Sequence, residues 1–242
     1  MIYAENYGSC NRDCAIALKL NARNVKAWYR AASACLALDK LPEALDAAES
    51  GLRYDPKNTS LQTVKAKIEK RQAYVNEVVR KRTEREERER AEATALKYAL
   101  RTRNILTRET ASPPNLEDAA MALSEPTKPE STLSFPVIFL YPLEAESDFI
   151  KSVSEHESLG DHLSYVLPPP WDQKGEYAAD ATESYVQTAS GGLMKAGKKL
   201  SLLKLLGSGK IEVVDGLVSV NVVPKAKAQS WIETWKIRNR KT

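Results

Sequence analysis

Three cysteines in 242 residues, an odd count, give little to build a disulfide scaffold on and point to a reducing compartment. No apolar run approaches the ~20 residues that a membrane-spanning helix requires. The opening Met1-Ile2-Tyr3-Ala4-Glu5-Asn6 lacks the basic and then apolar regions of a secretory leader. Histidine is scarcer still: His156 and His162 stand six apart, at neither a helical turn nor a metal-pair spacing, and read as surface or capping residues. These absences exclude a membrane protein, a secreted mini-domain and a collagen-like chain. The expectation left is a soluble intracellular protein, cytoplasmic and with the nucleus also open to it.

What is present is unevenly spread. The net charge of +4 conceals a segment, 65–108, with 14 basic and 7 acidic residues and neither Gly nor Pro. Residues 109–132 then carry 1 basic and 5 acidic residues. Residues 1–58 are rich in Ala and Leu. Residues 109–134 hold Pro113, Pro114, Pro126 and Pro129 among Ser and Thr, the composition of a linker. From Phe135 onward the pattern turns strand-like. The expected organisation is a helical portion over 1–58, a capping and extended charged helix over 59–108, a linker over 109–134 and a C-terminal domain over 135–242. The fold class is multi-domain, α followed by α+β.

The helical portion contains a repeat. The 34 residues from Val25 to Asn58 place Trp28, Ala32, Ala44, Gly51 and Pro56 at the tetratricopeptide (TPR) positions. Small residues let the paired helices approach, Trp fills the groove, and Pro begins the next turn. Shifting back by one repeat puts Cys10, Cys14 and Ala17 at the small positions of a preceding second helix. The frame therefore predicts that the array starts upstream of Met1, since a lone TPR pair cannot bury its apolar face. Cys10 and Cys14, one turn apart, have a spacing that could hold a metal, but small packing residues at repeat positions are the better reading, because a zinc site would need further partners.

Lys26 and Arg30 lie four residues apart on the first helix of the repeat and share one face. Lys is a point charge and Arg a planar two-pronged donor to carboxylates, so the pair suits an acidic peptide end. Asn24-Val25-Lys26-Ala27-Trp28-Tyr29-Arg30 resembles the third repeat of carboxylate-clamp TPR domains, which grip the Glu-Glu-Val-Asp tails of heat-shock proteins 90 and 70. The remaining clamp residues of that family, a Lys and two Asn from earlier repeats, have no counterparts in this sequence. Half a clamp should hold a tail weakly.

Leu61, Val64, Ile68, Val75 and Val79 recur at helical spacing, so the next helix can cap the repeat. Beyond Val79 the apolar face nearly vanishes until Leu96, Leu100 and Ile105. Glu84 with Arg88 and Glu86 with Arg90 are spaced for i,i+4 pairs that support a solvated helix. Continuous from Ser60 to Arg108, it would run roughly 70 Å at ~1.5 Å per residue. A spacer is the first reading. Binding of RNA or the ribosome by residues 80–108 is the second, although no aromatics interleave the basic run to stack bases.

In the C-terminal part, 135–142 (Phe-Pro-Val-Ile-Phe-Leu-Tyr-Pro) reads as a buried strand. Ser147 to Val153 reads as a helix with Ser147 as N-cap. Thr182–Thr188 suggests a strand, Leu200–Leu206 a short helix, and Asp215-Gly216 a hairpin turn between Ile211–Val214 and Leu217–Val223. The stretch 168–171 (Pro-Pro-Pro-Trp) must be a loop.

The strand at 135–142, followed by Ser147-Asp148-Phe149-Ile150 and Trp171, resembles the tetratricopeptide repeat protein 4 family, whose yeast member is the cyclophilin seven suppressor. In that family a clamp-type TPR domain, a long helix and a C-terminal mixed α/β "wheel" domain follow in this order. The resemblance implies a co-chaperone that docks heat-shock proteins 90 and 70, with the wheel domain engaging clients, translation elongation factor 2 among them. No enzyme constellation, cofactor motif or metal set is visible. Gly207-Ser208-Gly209-Lys210 lacks the first Gly of a phosphate loop and reads as a turn. Ser190-Gly191-Gly192 has no partnered base nearby in sequence.

Overall fold

The structure, a computed structural model, describes residues 6–239 and divides into one unit up to Glu87 and a second from Arg88. Most of the opening segment read above for a leader lies outside the described residues.

The first unit is helical: α1 (Tyr7–Leu20), α2 (Val25–Ala37), α3 (Leu41–Tyr54) and the start of α4 (Thr59–Thr102). Asparagines begin three of them. The Asn6, Asn24 and Asn58 side chains accept hydrogen bonds from the backbone N–H groups of Ser9, Ala27 and Leu61 at 3.0, 3.1 and 3.0 Å, satisfying donors that a helix start leaves open. α2 stops at Asp39, whose φ of 56° lets Lys40 N–H reach the Cys35 carbonyl at 2.9 Å. Pro42 sits in the first turn of α3, where a missing N–H does no harm.

The core of this unit is built from small side chains: Ala31, Ala32, Ala44, Ala47 and Ala48 with Cys14 and Cys35, closed by Val64 and Ile68 of α4. Gly51 shows why the repeat frame needs its glycine. A Cβ there would stand 2.7 Å from Leu61 Cδ1 and 2.9 Å from Trp28 Cβ. The Trp28 indole N–H donates to the Ala22 carbonyl at 2.8 Å, which fixes the ring against the α1–α2 turn. At the surface Arg71 grips Asp39 with two bonds of 2.8 and 2.9 Å, and Lys65 pairs with Glu49 at 2.8 Å. Val79, expected on the capping face, is exposed.

The second unit takes in the end of α4, β1 (Leu106–Arg108), β2 (Ala122–Leu123), β3 (Leu133–Tyr141), β4 (Glu146–Ser154), α5 (Leu159–Val166), β5 (Thr182–Gln187), β6 (Leu193–Ala196), α6 (Leu202–Leu206), β7 (Glu212–Val214), β8 (Val218–Pro224) and, after a 3-10 turn, α7 (Ala228–Asn239). Six strands form a mixed sheet, ordered β2-β3-β8-β5-β6 with β4 on the other side of β3; β1 and β7 pair in parallel apart from it. The central strand β3 is buried along most of its length, as its apolar composition predicts. Pro136 interrupts its ladder because it has no N–H, and the register with β4 shifts between Phe135 and Val137.

Four expectations need correcting. Ser147–Val153 is not a helix but most of β4, antiparallel to β3. A turn with Ala145 at φ 58° folds it back, and pairing with the buried strand outweighs its local signal. Ser147 caps nothing there; Ser158 does, in a capping box with Asp161 at the head of α5. The long helix ends at Thr102, short of Arg108. Asn104 adopts φ 55°, Ile105 N–H bonds back to the Leu100 carbonyl at 3.0 Å, and 106–108 becomes β1.

Residues 109–134 are folded onto the second unit. Thr110 bonds Asp215 through both its N–H and its hydroxyl at 2.6 Å, β2 pairs with β3, and Leu123 is buried in the core. The Asp215-Gly216 turn exists, with φ of 53° and 75°, but it carries only a single bridge, Val214 to Leu217. Beyond it β7 turns away to β1, and β8 enters the large sheet between β3 and β5. Thr182–Gln187 is a strand and Leu202–Leu206 a helix, within the spans expected.

Candidate peptide-binding groove

Repeat spacing on two helices builds one concavity. On α2, Lys26, Ala27 and Arg30 follow at i, i+1 and i+4; on α1, Cys10, Asp13, Cys14 and Ala17 follow at i, i+3, i+4 and i+7. Together with Asn6, Ser9 and Asn24 these residues line a groove of ≈ 530 Å³. The α1 cysteines face the α2 cations because α1 and α2 pack through Cys14, Ala31 and Cys35. Lys26 and Arg30 are both exposed, and neither side chain forms an ion pair or a hydrogen bond with another described residue. Asp13 brings one negative charge to the same groove. Asn6 and Asn24 use their side-chain oxygens as caps, which leaves their amide N–H groups as donors at its edge.

Burial pushes the Cys14 thiol above the ordinary range, and the neighbouring Cys10, hydrogen-bonded to it, adds to the effect while Arg30 opposes it. Cys35 is likewise raised by burial. Cys10 is half-buried and is the thiol of the three with the most access to solvent. Lys26 and Arg30 were readable from the repeat frame. Asn6 and Asp13 were missed, although the spacing of 6, 10, 13 and 17 already placed them on the groove face of α1; Asn24 heads the clamp-like stretch on α2.

The charged stretch of α4 neutralises much of itself. Arg80 pairs with Glu77 at 2.8 Å and Glu84 at 2.6 Å, Lys81 with Glu77 at 3.4 Å, Arg82 with Glu86 at 2.7 Å and Arg88 with Glu92 at 2.8 Å. Glu84 and Glu86 thus reach back to Arg80 and Arg82 and not forward to Arg88 and Arg90. Exposed pairs of this kind are screened by solvent and contribute little to stability. They engage part of the cations of this stretch, while its excess of basic over acidic residues, 14 against 7 over 65–108, is unchanged by the pairing.

Two polar features organise the second unit. Arg103, just past α4, donates to both oxygens of the fully buried Glu155 carboxylate at 2.6 and 3.0 Å and to the carbonyls of Pro129 and Ser131 at 2.8 Å. Glu155 also accepts from Leu133 N–H at 2.9 Å. Tyr141, Trp171 and Tyr177 meet edge to face with ring centroids 5.0 to 5.4 Å apart, and the Tyr141 hydroxyl donates to Asp148 at 2.7 Å. His162 bonds Glu157 at 3.1 Å and His156 is exposed. The segment 207–210 is a turn, with Gly209 at φ 68°. Among the described residues no group of three or more His, Cys, Asp or Glu is arranged to hold a metal, and no helix is long and apolar enough to cross a membrane.

A TPR-type helical hairpin with a cationic groove, followed in the chain by a mixed α/β domain, defines the class: a repeat protein with a C-terminal domain of its own kind. Residues 125–235 match the Cns1/TTC4 Wheel domain. The chain is 36% identical over 235 residues to the Hsp70/Hsp90 co-chaperone cns1 of Schizosaccharomyces pombe, covering 96% of this chain and 65% of the relative. It is 31% identical over 240 residues to the Hsp70/Hsp90 co-chaperone CNS1 of Saccharomyces cerevisiae, covering 96% and 62%. The solved Hsp90 co-chaperone Cns1 from Saccharomyces cerevisiae (delta69) superposes with a TM-score of 0.87 at 31% identity, over 95% of this chain and 77% of that one. The chain belongs to the Cns1/TTC4 family. It spans a little under two thirds of the length of the two yeast relatives.

Proposed function

We propose that this chain acts as a co-chaperone adaptor, holding the acidic C-terminal tails of heat-shock proteins 90 and 70 in the groove of Lys26 and Arg30 and engaging a client through the Wheel domain. The observation that carries the reading is a pair of cations one helical turn apart, bonded to no other described residue and lining a groove of ≈ 530 Å³. The yeast relatives are themselves named as Hsp70/Hsp90 co-chaperones, which supports it. Lys26 supplies a mobile point charge and Arg30 a fork that can take a carboxylate with two parallel bonds. Each charge-assisted bond contributes about 1.5–3 kcal/mol. The adaptor works by binding alone, in the cytoplasm and the nucleus, and translation elongation factor 2 is the client we propose.

The test is a fluorescence-anisotropy titration of a Glu-Glu-Val-Asp-terminated peptide against this chain and against one carrying two further upstream repeats. Lys26→Ala/Arg30→Glu should weaken binding by at least about tenfold, the equivalent of one lost charge-assisted bond. Capping the peptide as a C-terminal amide should weaken it similarly. Affinity unchanged by the double substitution would remove the groove from the mechanism.

A further inference from the structure

The mixed sheet of the second unit ends in two edges, and they are not alike. β6 is four residues long, and its Leu193 packs against the cluster of Tyr185, Trp231 and Trp235. β4 is nine residues long and pairs only with β3. The register fixes which of its main-chain groups are left over. Glu155 N–H donates to the Leu133 carbonyl, so the odd-numbered residues of β3 bond towards β4. Their partners are Glu146, Asp148 and Ile150, opposite Tyr141, Phe139 and Val137. Ser147 and Phe149, between them, turn their N–H and C=O groups outward. No main-chain bond among the described residues takes these groups up.

Sheet edges are templates for further strands, and folded proteins blunt them with charge, bulges or shortness. β4 is blunted at one end only. Past Ile150 an extra residue enters opposite Pro136 as a bulge, and Lys151 there pairs with Glu117 and Asp118 at 3.4 and 2.5 Å. The stretch 146–150 before it is regular and carries neither Lys nor Pro. Phe149 is 42% exposed on it, and Leu143, in the turn that leads to it, is 40% exposed. Glu144, Glu146 and Asp148 come at every second position, with no cation among 143–150.

We propose that the free edge of β4 is a docking surface for an extended segment of a partner protein, which adds to the sheet as a further strand and carries Lys or Arg in alternation with apolar residues. The main-chain groups of Ser147 and Phe149 hold the segment. Side chains alternate across a strand, so Glu146 and Asp148 stand on one face and Phe149 on the other. A strand laid beside them meets carboxylates on one face and an aromatic ring on the other, which fits basic and apolar residues in turn. The same carboxylates oppose a second copy of this chain, since pairing β4 with β4 would bring like charges together. The inference rests on the reading that the Wheel domain engages a client, and it names the surface and the kind of segment.

The test has two arms, so that either claim can fail alone. In the first, a fluorescent Lys-Val-Lys-Val-Lys-Phe-Lys-Val-Lys peptide is titrated against the whole chain. Its affinity should fall with salt, and a version with Glu for Lys should bind about tenfold or more weakly. Only one edge of an added strand faces β4. N-methylation of one set of alternate peptide residues should therefore weaken binding about tenfold or more, while methylation of the other set leaves it. Ser147→Pro removes an outward N–H without touching the ladder to β3 and should have the same effect; the methylated peptides test the edge with the protein unaltered. No binding, equal effects of the two methylation patterns, or a dimer of the chain that Ser147→Pro dissolves, would overturn the proposal. In the second arm translation elongation factor 2 is captured by the chain and by Ser147→Pro. Capture lost in the variant joins the edge to the client; capture unchanged would overturn that link. No capture by the unaltered chain would refute the client reading and leave the peptide result standing.

Discussion

Tyr177 carries a buried hydroxyl with no hydrogen-bond partner among the described residues, inside the aromatic cluster with Tyr141 and Trp171. Burial pushes its ionisation up to about 12, and the carboxylates of Glu144, Glu176 and Asp172 add to the shift. Tyr185, packed against Trp231, is also pushed up to about 12, by burial and by the Glu183 carboxylate that accepts its hydroxyl. A raised tyrosine keeps its proton longer in the folded state, so its contribution is complete below the unfolded value near 10 and is lost as pH rises towards 12. The thermal midpoint of the second unit should therefore fall between pH 10 and 12, together with tyrosinate absorbance. Tyr177→Phe should flatten that fall. Near neutral pH it should leave stability unchanged or raise it by ~1–2 kcal/mol, since an orphan hydroxyl is removed without a cavity; a drop of that size would reveal a partner. At this scale the sequence offered Trp171 and Tyr141 through a family motif. Tyr177 was not visible, because it lies in a loop whose spacing has no period.

At the scale of elements, the end of α4 buries Ala95, Ala99 and Leu100 in the core of the second unit, and one guanidinium just beyond it adds a polar tie. Arg103 is flanked by a left-handed Asn104 that stops the helix and contacts two carbonyls of the segment preceding β3. Its partner Glu155, at the end of β4, also receives the first N–H of β3. Arg103→Met should strand a buried carboxylate and lower stability by about 3–5 kcal/mol, whereas Arg103→Met/Glu155→Leu should recover much of that loss. Urea midpoints of the two variants decide it: a double variant no better than the single would show that the carbonyl contacts matter more than the charge.

This tie also explains how far elements could be read. Helical periodicity identified α2, α3 and the start of α4, where spacing and burial agree down to Ile68. It failed at 103–108, since the Asn104 turn is stabilised by contacts with β7 and the turn after α6, remote in sequence. It failed again at Ser147–Val153, where a serine before an acidic residue imitates an N-cap. Prolines at 113, 114, 126 and 129 imitated a linker; their segment is held by Asp215 and β3, far along the chain.

Over the whole molecule the two units are made of different material. Up to Glu87 the core consists of alanines and cysteines with a few larger residues, and it contains one complete repeat. From Arg88 onward the buried set includes Phe135, Phe139, Tyr141, Leu133, Leu163 and a row of valines. Apolar burial contributes roughly 25 cal/mol per Å², so an alanine core yields far less per residue than one of Phe and Leu. Repeat units also draw much of their stability from neighbours, and about three are normally needed. Unfolding should accordingly occur in two transitions, the helical unit first and the Wheel-domain unit later. Trp28 lies in the first unit; Trp171, Trp231 and Trp235 lie in the second. Urea unfolding followed by fluorescence of Trp28→Phe should lose the early transition while circular dichroism keeps both. A Glu-Glu-Val-Asp peptide should shift only the early one, because a ligand stabilises the unit it binds by mass action. Coincident transitions in all probes would mean that the stability of α4 couples the two units into one cooperative block, and the peptide would then shift the single transition seen by every tryptophan.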